Sequence, residues 1–351
     1  MTSAKEHIDV NRWKKIAALG SGRTGRVALC EEPISTGSEE PNSRRPRVLH
    51  AVKRVPRRGL TSGGAARSVL REKAALQALK GNLGIVDLRS TSKDDENLYF
   101  VLEPLLGGPL HKHIRAGPRG RLEVPTARFY ASEISSAIVH MHTLHIMHRD
   151  IKASNIVLCA RGHAKLVDLG STKQLVPRRE NGSDDSGSSW EKSYTYCGTP
   201  HCMAPEMVSR EGHTPAVDWW ALGILVHEMV TGDPPFGYGG DDLPRRISEG
   251  IPKDGDQAGE EPADEDVGTG TFLPIVRRLL DIDPRQRLGS AGGADEVMAH
   301  AWFATIDWAT TSKFEAQPPP FRRDLGELDV LDEGGAAVAE DIDPDGLFAG
   351  F

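Results

Sequence analysis

Two short polar segments near the middle of the chain constrain its fold more than any other feature. Residues 148–155 read HRDIKASN, and Asp168-Leu169-Gly170 begins thirteen residues after Asn155. Either segment could arise by accident beside a turn, but the two together, in this order and at this spacing, are very hard to obtain by chance. The chain must therefore fold so that Asp150, Asn155 and Asp168 lie in one site.

The side chains of these segments suit phosphoryl transfer. Asp150 can accept the proton of a substrate hydroxyl, and Lys152 can steady the phosphoryl group as it moves. Asn155 and Asp168 supply the hard oxygen donors that Mg²⁺ prefers. The segments thus predict catalytic roles for the first pair of residues and metal-binding roles for the second.

A glycine-rich run near the start of the chain predicts the phosphate-binding part of the site. Residues 20–27 read GSGRTGRV between two runs that resemble strands, and glycine lets backbone amides approach phosphate oxygens closely. The same spacing marks dinucleotide-binding folds, but those require a helix directly after the glycines. Residues 27–30 read as a strand, which favours a hairpin loop.

Lys53 and Glu72 form the next candidate pair. Ala51-Val52-Lys53 lies in an apolar strand-like run, where a lysine can neutralise nucleotide phosphates. Glu72 lies on the helix predicted to follow and offers a carboxylate that would fix the lysine rotamer. An isolated lysine is usually a solvated surface charge, so the pair gains its meaning only as part of the set.

Strand-like runs dominate the first hundred residues and helical patterns dominate the rest. Strands are predicted over residues 13–19, 26–30, 48–54, 85–90 and 98–102, and a helix over 65–80. Helical spacing prevails from Pro125 onward, and residues 218–231 read as a strongly apolar helix. Stretches 31–46, 178–193 and 253–270 lack periodicity and are predicted surface insertions. The predicted fold class is α+β, with a small antiparallel sheet lobe before a larger helical lobe.

Bulk composition excludes several classes of protein. The net charge of −7 argues against a nucleic-acid partner, because phosphate backbones need a basic face. No window approaches the apolar length of a membrane span, and the first ten residues lack the apolar core of a signal peptide. Four scattered cysteines predict reduced thiols rather than a disulfide framework. We therefore expect a cytoplasmic protein, one that can also enter the nucleus.

Further motifs downstream extend the pattern. Gly198-Thr199-Pro200 and Ala204-Pro205-Glu206 are followed by Asp218-Trp219-Trp220 and, later, by Arg287. With these motifs the chain resembles the eukaryotic protein kinase family over nearly its whole length. The resemblance implies a bilobal kinase fold over residues 13–303, with a small lobe at about 13–102 and a large lobe at about 106–303. It also implies ATP and Mg²⁺ as cofactors and a salt bridge between Glu206 and Arg287.

Within that family, details resemble the AGC group and its cyclic-nucleotide-dependent kinases. They include the TYCGTP run at 195–200, RLGS at 287–290, HAWF at 300–303 and the terminal FAGF at 348–351. The resemblance implies a short extension over 1–12 and an AGC-type tail over 304–351 whose end docks on the small lobe. The alternative for that end is two apolar residues on a disordered acidic segment.

The resemblance also assigns site residues. It implies catalytic roles for Asp150, Lys152, Lys53 and Glu72, metal binding by Asn155 and Asp168, and phosphorylation of Thr195. The implied nucleotide-binding residues are Leu19, Gly20, Ser21, Gly22, Arg23, Thr24, Gly25, Arg26, Val27, Ala51, Lys53, Glu103 and Leu105. A phosphate on Thr195 is expected to be held by Arg149 and Lys173. The matching place on the small-lobe helix holds Ser68, which supplies no charge.

Several positions depart from the family pattern. Leu169 stands where these kinases usually carry Phe, and Pro109, Ser154 and His201 stand where relatives that bind basic substrates carry acidic residues. Glu228 is the acidic position that remains, so we expect weak selection for arginine upstream of the acceptor hydroxyl.

The expected function is a serine/threonine protein kinase in cyclic-nucleotide-type signalling. Expected partners are protein substrates, a regulatory or inhibitory subunit and an upstream activating kinase. The alternative is a pseudokinase that binds nucleotide as a scaffold without transfer. The chain carries all five residues that such proteins tend to lose, namely Lys53, Glu72, Asp150, Asn155 and Asp168.

Overall fold

A computed structural model describes residues 10–22, 25–33, 48–60, 63–176, 190–251 and 272–321. Within these ranges the chain forms a small lobe built on a β-sheet, followed by a larger and mainly helical lobe. The predicted α+β, two-lobed fold is therefore confirmed. The terminal FAGF, the insertion at 253–270 and most of the insertions at 31–46 and 178–193 lie outside the described residues. No helix in the described ranges is long and apolar enough to cross a bilayer.

The small lobe is a five-stranded antiparallel sheet with the order β1-β2-β3-β5-β4. Its elements are β1 (Lys14–Gly22), β2 (Gly25–Glu31), β3 (Leu49–Pro56), helix α1 (Gly63–Ala78), β4 (Leu88–Lys93) and β5 (Asn97–Leu102). The predicted start of the fourth strand at residue 85 is wrong. Ile85 instead makes an isolated bridge to Leu166 of the large lobe, and the Val86 amide donates to the Leu166 carbonyl. The segment before β4 thus ties the two lobes together.

The large lobe consists of helices with a few short strands. The helices are α2 (Leu110–Ala116), α3 (Val124–Thr143), α4 (Pro205–Val208), α5 (Ala216–Thr231), α6 (Leu243–Glu249), α7 (Leu273–Leu279), α8 (Gly293–Met298) and α9 (Trp308–Ser312). The strands are β6 (Gly108–Pro109), β7 (Ile146–Met147), β8 (Ile156–Leu158), β9 (Ala164–Leu166) and β10 (Lys173–Gln174). Single 3₁₀ turns span Val10–Arg12, Arg57–Leu60, Pro118–Gly120, Ala153–Asn155, Leu169–Ser171, Pro200–Cys202 and Ala301–Phe303.

Helix α5 forms the centre of the large-lobe core. It is apolar all round and buried along nearly its whole length, as expected for a helix enclosed by other helices. It starts at Ala216, two residues before the predicted start, and ends at Gly232, whose φ of 93° suits glycine. A side chain at Gly223 would meet Leu279 of α7 at 2.8 Å, so the two helices pack closely there.

The hairpin of β8 and β9 explains the spacing of the two polar segments. The strands pair antiparallel, with Ile156 opposite Leu166, so the residue before β8 and the residues after β9 lie at the same end. The Val167 amide donates to the Asn155 carbonyl at 2.9 Å. Asn155 and Asp168 are therefore neighbours because a short hairpin separates them.

Candidate active site

Asp218 anchors the loop that carries Asp150. The buried carboxylate of Asp218 accepts the backbone N–H groups of His148 at 2.9 Å and Arg149 at 2.8 Å, and the His142 imidazole at 2.9 Å. Burial alone would raise the pKa of the Asp218 carboxyl, but the hydrogen bond and charge of His142, with those of the loop, lower it below its ordinary value. Arg149 has a φ of 67°, an unusual conformation for a residue with a side chain. The Asp218 bonds hold the loop in that conformation.

The Asp150 carboxylate lies within a set of three donors. Oδ2 accepts from Lys152 Nζ and from Asn155 Nδ2, each at 3.0 Å, and Oδ1 accepts from the Thr199 hydroxyl at 2.6 Å. Lys152 also donates to the Thr199 hydroxyl. The Asp150 carboxylate is therefore fixed in position by its own loop and by the segment that precedes α4. The motif that contains Thr199 does not by itself predict its contact with Asp150.

Lys53 and Glu72 meet as predicted. Lys53 Nζ lies 2.6 Å from Glu72 Oε1 and 3.4 Å from Asp168 Oδ1, so β3, α1 and the loop after β9 converge on one ammonium group. Burial would lower the pKa of Lys53, but the charges of Glu72 and Asp168 raise it above its ordinary value. Lys53 therefore keeps its positive charge in a buried position between β3, α1 and the loop after β9.

The two predicted metal ligands lie at the same end of the β8–β9 hairpin. Asn155 donates its amide nitrogen to Asp150, and its Oδ1 accepts no hydrogen bond from any residue in the described part of the chain. The Asp168 side chain is 41% exposed. Burial would raise the pKa of its carboxyl, but Lys53 lowers it below its ordinary value. A carboxylate and an amide oxygen fit the preference of Mg²⁺ for hard oxygen donors.

The glycine-rich run forms the hairpin of β1 and β2, as predicted. Gly22 pairs with Gly25, and Arg23 and Thr24 at the tip lie outside the described residues. A side chain at Gly25 would approach the Arg54 carbonyl oxygen to 2.2 Å, so close packing of β2 on β3 requires glycine there. A Cβ at Gly20 or Gly22 would meet no described atom within 4 Å. Those two positions leave open space, as a phosphate-binding loop needs.

The remaining predicted nucleotide-binding residues lie on the small-lobe strands or just after β5. Leu19 and Val27 are half-buried against the apolar core, and Ala51 is buried in β3. Leu105 is buried after β5, whereas the Glu103 carboxylate accepts from Lys165 Nζ and from the Asp87 amide. Because the Glu103 side chain is engaged within the protein, any contact that this residue makes to a base must come from its backbone. Ser21 and Arg26 lie on β1 and β2 opposite each other.

The stretch of chain from Asp168 to Glu206 is called the activation segment. A buried ion pair anchors its C-terminal end. Arg287 donates to both oxygens of Glu206, at 2.7 and 2.9 Å, and its guanidinium lies 5.0 Å from the Trp220 ring centroid. The expected pairing of Glu206 with Arg287 is confirmed. The pair joins α4 to the segment between α7 and α8.

The Arg149 side chain is held by the segment that follows Asp168 and by Ser193. Its guanidinium is buried and donates to the carbonyls of Ser171 at 2.8 Å and Thr172 at 3.2 Å, and to the Ser193 hydroxyl at 3.1 Å. Thr195 is exposed, and no hydrogen bond links it to Arg149 among the described residues. Burial lowers the pKa of Arg149, and the charge of Arg71 on α1 adds to the effect. The small-lobe helix therefore brings a cation close to Arg149, which the sequence did not indicate.

The positions expected to govern peptide selection lie on separate elements of the large lobe. Pro109 precedes α2, Ser154 is exposed, and the His201 ring stands edge-on to Tyr238 with centroids 5.2 Å apart. Glu228 is buried and lies 3.4 Å from the Tyr238 hydroxyl. Burial raises its pKa to about 7. This carboxylate therefore titrates near neutral pH.

Comparison with known proteins identifies the family. The family model described as protein kinase domain matches residues 13–303. A cAMP-dependent protein kinase catalytic subunit-like protein of Caenorhabditis elegans is 32% identical over 324 residues, which covers 91% of this chain and 71% of the relative. The cAMP-dependent protein kinase catalytic subunit PRKX of Mus musculus is 33% identical over 94% of this chain and 82% of its own length.

A third relative shares only part of its length with the chain. The cGMP-dependent protein kinase 2 of Homo sapiens is 33% identical over 90% of this chain but over only 37% of its own length. Protein kinases in general use ATP and Mg²⁺ and act on protein substrates. The fold, the site geometry and these matches agree, and the chain belongs to the protein kinase domain family as an AGC-type serine/threonine protein kinase.

Proposed function

We propose that this site binds ATP with Mg²⁺ and that Asp150 is the proton acceptor for the substrate hydroxyl. The observation that carries the proposal is the position of the Asp150 carboxylate, which is fixed by three donors, one of them the amide group of the predicted metal ligand Asn155. Hard oxygen ligands and a positioned carboxylate are what phosphoryl transfer requires, since its catalysis is mainly positioning and charge stabilisation.

Each site residue has a definite role in this proposal. Lys53, fixed by Glu72 at 2.6 Å, holds the nucleotide phosphates through its ammonium group. Bound Mg²⁺ supplies neutralisation of negative charge on the phosphates, and Asn155 and Asp168 are the residues that would hold it. Lys152 lies between Asp150 and Thr199 and stabilises negative charge beside the base. In this proposal the backbone of residues 19–27 covers the phosphates of the nucleotide. Ala51, Glu103 and Leu105 border its adenine base.

Substitution of Asp150, the proposed proton acceptor, tests the proposal. Asp150→Asn keeps the size of the side chain, so nucleotide binding stays near the wild-type value while turnover falls about 10²- to 10⁴-fold. Turnover of a serine- or threonine-containing peptide and Mg-ATP binding are measured on the same preparations. Asp242→Asn, at an exposed position directly before α6, is the control. Wild-type turnover in Asp150→Asn would refute the assignment, and a loss of transfer in the control would show that the assay reports folding instead.

We also propose that Thr195 is an activating phosphorylation site. Its side chain is exposed to a modifying kinase, and it lies two residues after Ser193, which already contacts Arg149. Lys173 on β10 and Arg71 on α1 supply further positive charge near Arg149. A phosphate of charge near −2 would find charge-assisted donors there.

Replacement of Thr195 decides this second proposal. Thr195→Ala lowers turnover relative to the wild type in protein that mass spectrometry shows to be phosphorylated at Thr195, and the loss is reproduced by phosphatase treatment. The neighbouring Tyr194→Phe variant, altered at an exposed residue, serves as the control. Fully active wild-type protein that is unmodified at Thr195 would overturn the proposal and direct attention to the serine-rich residues 183–193.

The names of the relatives suggest the setting in which the kinase works. We place it in cyclic-nucleotide-type signalling in the cytoplasm and nucleus, with a regulatory or inhibitory subunit and an upstream activating kinase as partners. The tail expected over 304–351 starts on the large lobe, where Phe314 stacks on His163 with centroids 4.3 Å apart. Inhibition by an added regulatory subunit that cyclic nucleotide reverses would support this setting. Activity that is indifferent to both would count against it.

A further inference from the structure

Ser68 connects the small-lobe helix α1 directly to residues 168–172, the loop that begins with the predicted metal ligand Asp168 and is called the metal-binding loop below. Its hydroxyl donates to the carbonyl oxygen of Gly170 at 2.7 Å, across 102 residues of sequence. Gly170 lies in the 3₁₀ turn Leu169–Ser171, which directly follows Asp168. Ser68 and Glu72 are four residues apart on α1 and therefore share one face of the helix. The same helix face thus contacts both Lys53 and the loop that carries the metal ligand.

The surroundings of Gly170 show how closely these groups are packed. A Cβ at Gly170 would lie 3.3 Å from Asp168 Oδ1, 3.5 Å from Ser68 Oγ and 3.6 Å from Glu72 Oε2. The loop therefore sits against the hydroxyl and the carboxylate of α1, with the Asp168 carboxylate on the same side. Any shift of α1 relative to the loop changes the distances between the groups that hold a magnesium nucleotide.

Each of the four successive carbonyls of residues 169–172 accepts a hydrogen bond from a side chain. Leu169 O accepts from Thr172, and Ser171 O and Thr172 O accept from the buried Arg149. All of these donors belong to the large lobe. The Gly170 carbonyl is the one in this run that accepts from the small lobe, through Ser68.

We propose that Ser68 is a positioning residue that fastens α1 to the metal-binding loop and thereby sets the affinity for Mg-ATP. A neutral hydroxyl–carbonyl bond does this without charge, so the link does not depend on modification of the activation segment. The inference rests on the proposed nucleotide site, because it concerns the distance between the Lys53–Glu72 pair and Asp168. It predicts a defect in nucleotide binding with no defect in peptide binding.

The test compares Ser68→Ala with Ser68→Thr and a matched control. Loss of one neutral hydrogen bond is expected to weaken Mg-ATP binding about 3- to 10-fold, and Thr, which keeps the hydroxyl, is expected to restore it. Ser135→Ala removes an equally short bond, Ser135 Oγ to the Ala131 carbonyl at 2.7 Å, inside α3 and away from the site. Binding of ATP with and without Mg²⁺ is measured by calorimetry on the full chain, alongside KM for ATP and for peptide.

The expected result is weaker binding of Mg-ATP in Ser68→Ala alone, with a smaller change for ATP without Mg²⁺ and an unchanged peptide KM. Unchanged Mg-ATP binding in Ser68→Ala would overturn the inference. So would equal weakening in Ser135→Ala, which would indicate a general loss of stability, or a Thr variant as weak as the Ala variant. If the proposed nucleotide site itself were wrong, the result would be different: the wild-type protein would show no Mg²⁺-dependent ATP binding.

Discussion

Substitution of Asp218 by Asn should damage both stability and turnover. The Asp218 carboxylate uses Oδ1 for the Arg149 amide and Oδ2 for the His148 amide and the His142 ring. An Asn side chain has one accepting oxygen, so its NH₂ group must face at least one of these N–H donors. The variant therefore loses one charge-assisted bond and leaves a buried donor unpaired.

The size of the effect follows from the contacts. A hydrogen bond to a charged group contributes about 1.5 to 3 kcal/mol, and the bonds that remain weaken when the acceptor becomes neutral. We therefore expect the free energy of unfolding to fall by about 3 to 5 kcal/mol. Arg149, at a φ of 67°, is held in its conformation by one of these bonds. Release of that strain moves Asp150, and a displacement near 1 Å costs about 100-fold in turnover.

Urea denaturation and steady-state turnover measure the two parts separately. Asp242→Asn is the control, because Asp242 forms exposed ion pairs with Arg245 and Arg246, which contribute little. The two variants remove the same charge, so only the buried network distinguishes them. If Asp218→Asn unfolds within about 1 kcal/mol of the wild type and keeps its turnover, the anchoring role of Asp218 is wrong.

Two further predictions concern Glu228 and Arg287. Because burial raises the pKa of Glu228 to about 7, its carboxylate ionises as the pH rises, and a peptide with one upstream arginine should bind more tightly at pH 8 than at pH 6, by about 10-fold at most. Glu228→Gln should remove that pH dependence, and a peptide library with a dominant two-arginine requirement would contradict our expectation of weak arginine selection. Arg287→Met leaves the buried Glu206 carboxylate unpaired and should lower the free energy of unfolding by about 3 to 5 kcal/mol. Adding Glu206→Leu should recover much of that loss in thermal denaturation, and no recovery would mean that the ion pair is not the cause.

The sequence predicted those parts of the site whose chemistry lies in contiguous motifs. The hairpin at residues 20–27, the Lys53–Glu72 contact and the pairing of Glu206 with Arg287 are all found in the structure. Such motifs combine residue type with strand or helix periodicity, so local sequence carries both the chemistry and the placement. The thirteen-residue spacing before Asp168 is explained by one hairpin, an element that short strands and a turn can specify locally.

Contacts between distant segments were not predictable in the same way. Thr199 contacts Asp150, Ser68 contacts Gly170, and Ser193 contacts Arg149, each across more than 40 residues. Serine and threonine hydroxyls are common on every surface, so nothing in the residue type singles these three out. Only the packing of the lobes brings the hydroxyls to their acceptors.

Arg149 links the base to the metal-binding loop through covalent and hydrogen bonds together. Its backbone directly precedes Asp150, while its side chain holds the carbonyls of Ser171 and Thr172, just after Asp168 and Leu169. Leu169 is buried and apolar, so the packing that a Phe would provide is kept in kind, although with a smaller side chain. Because Leu169 is smaller than Phe, the position of the loop depends more on hydrogen bonds. Two donors, Arg149 from the large lobe and Ser68 from the small lobe, hold the turn that directly follows Asp168, the predicted metal ligand.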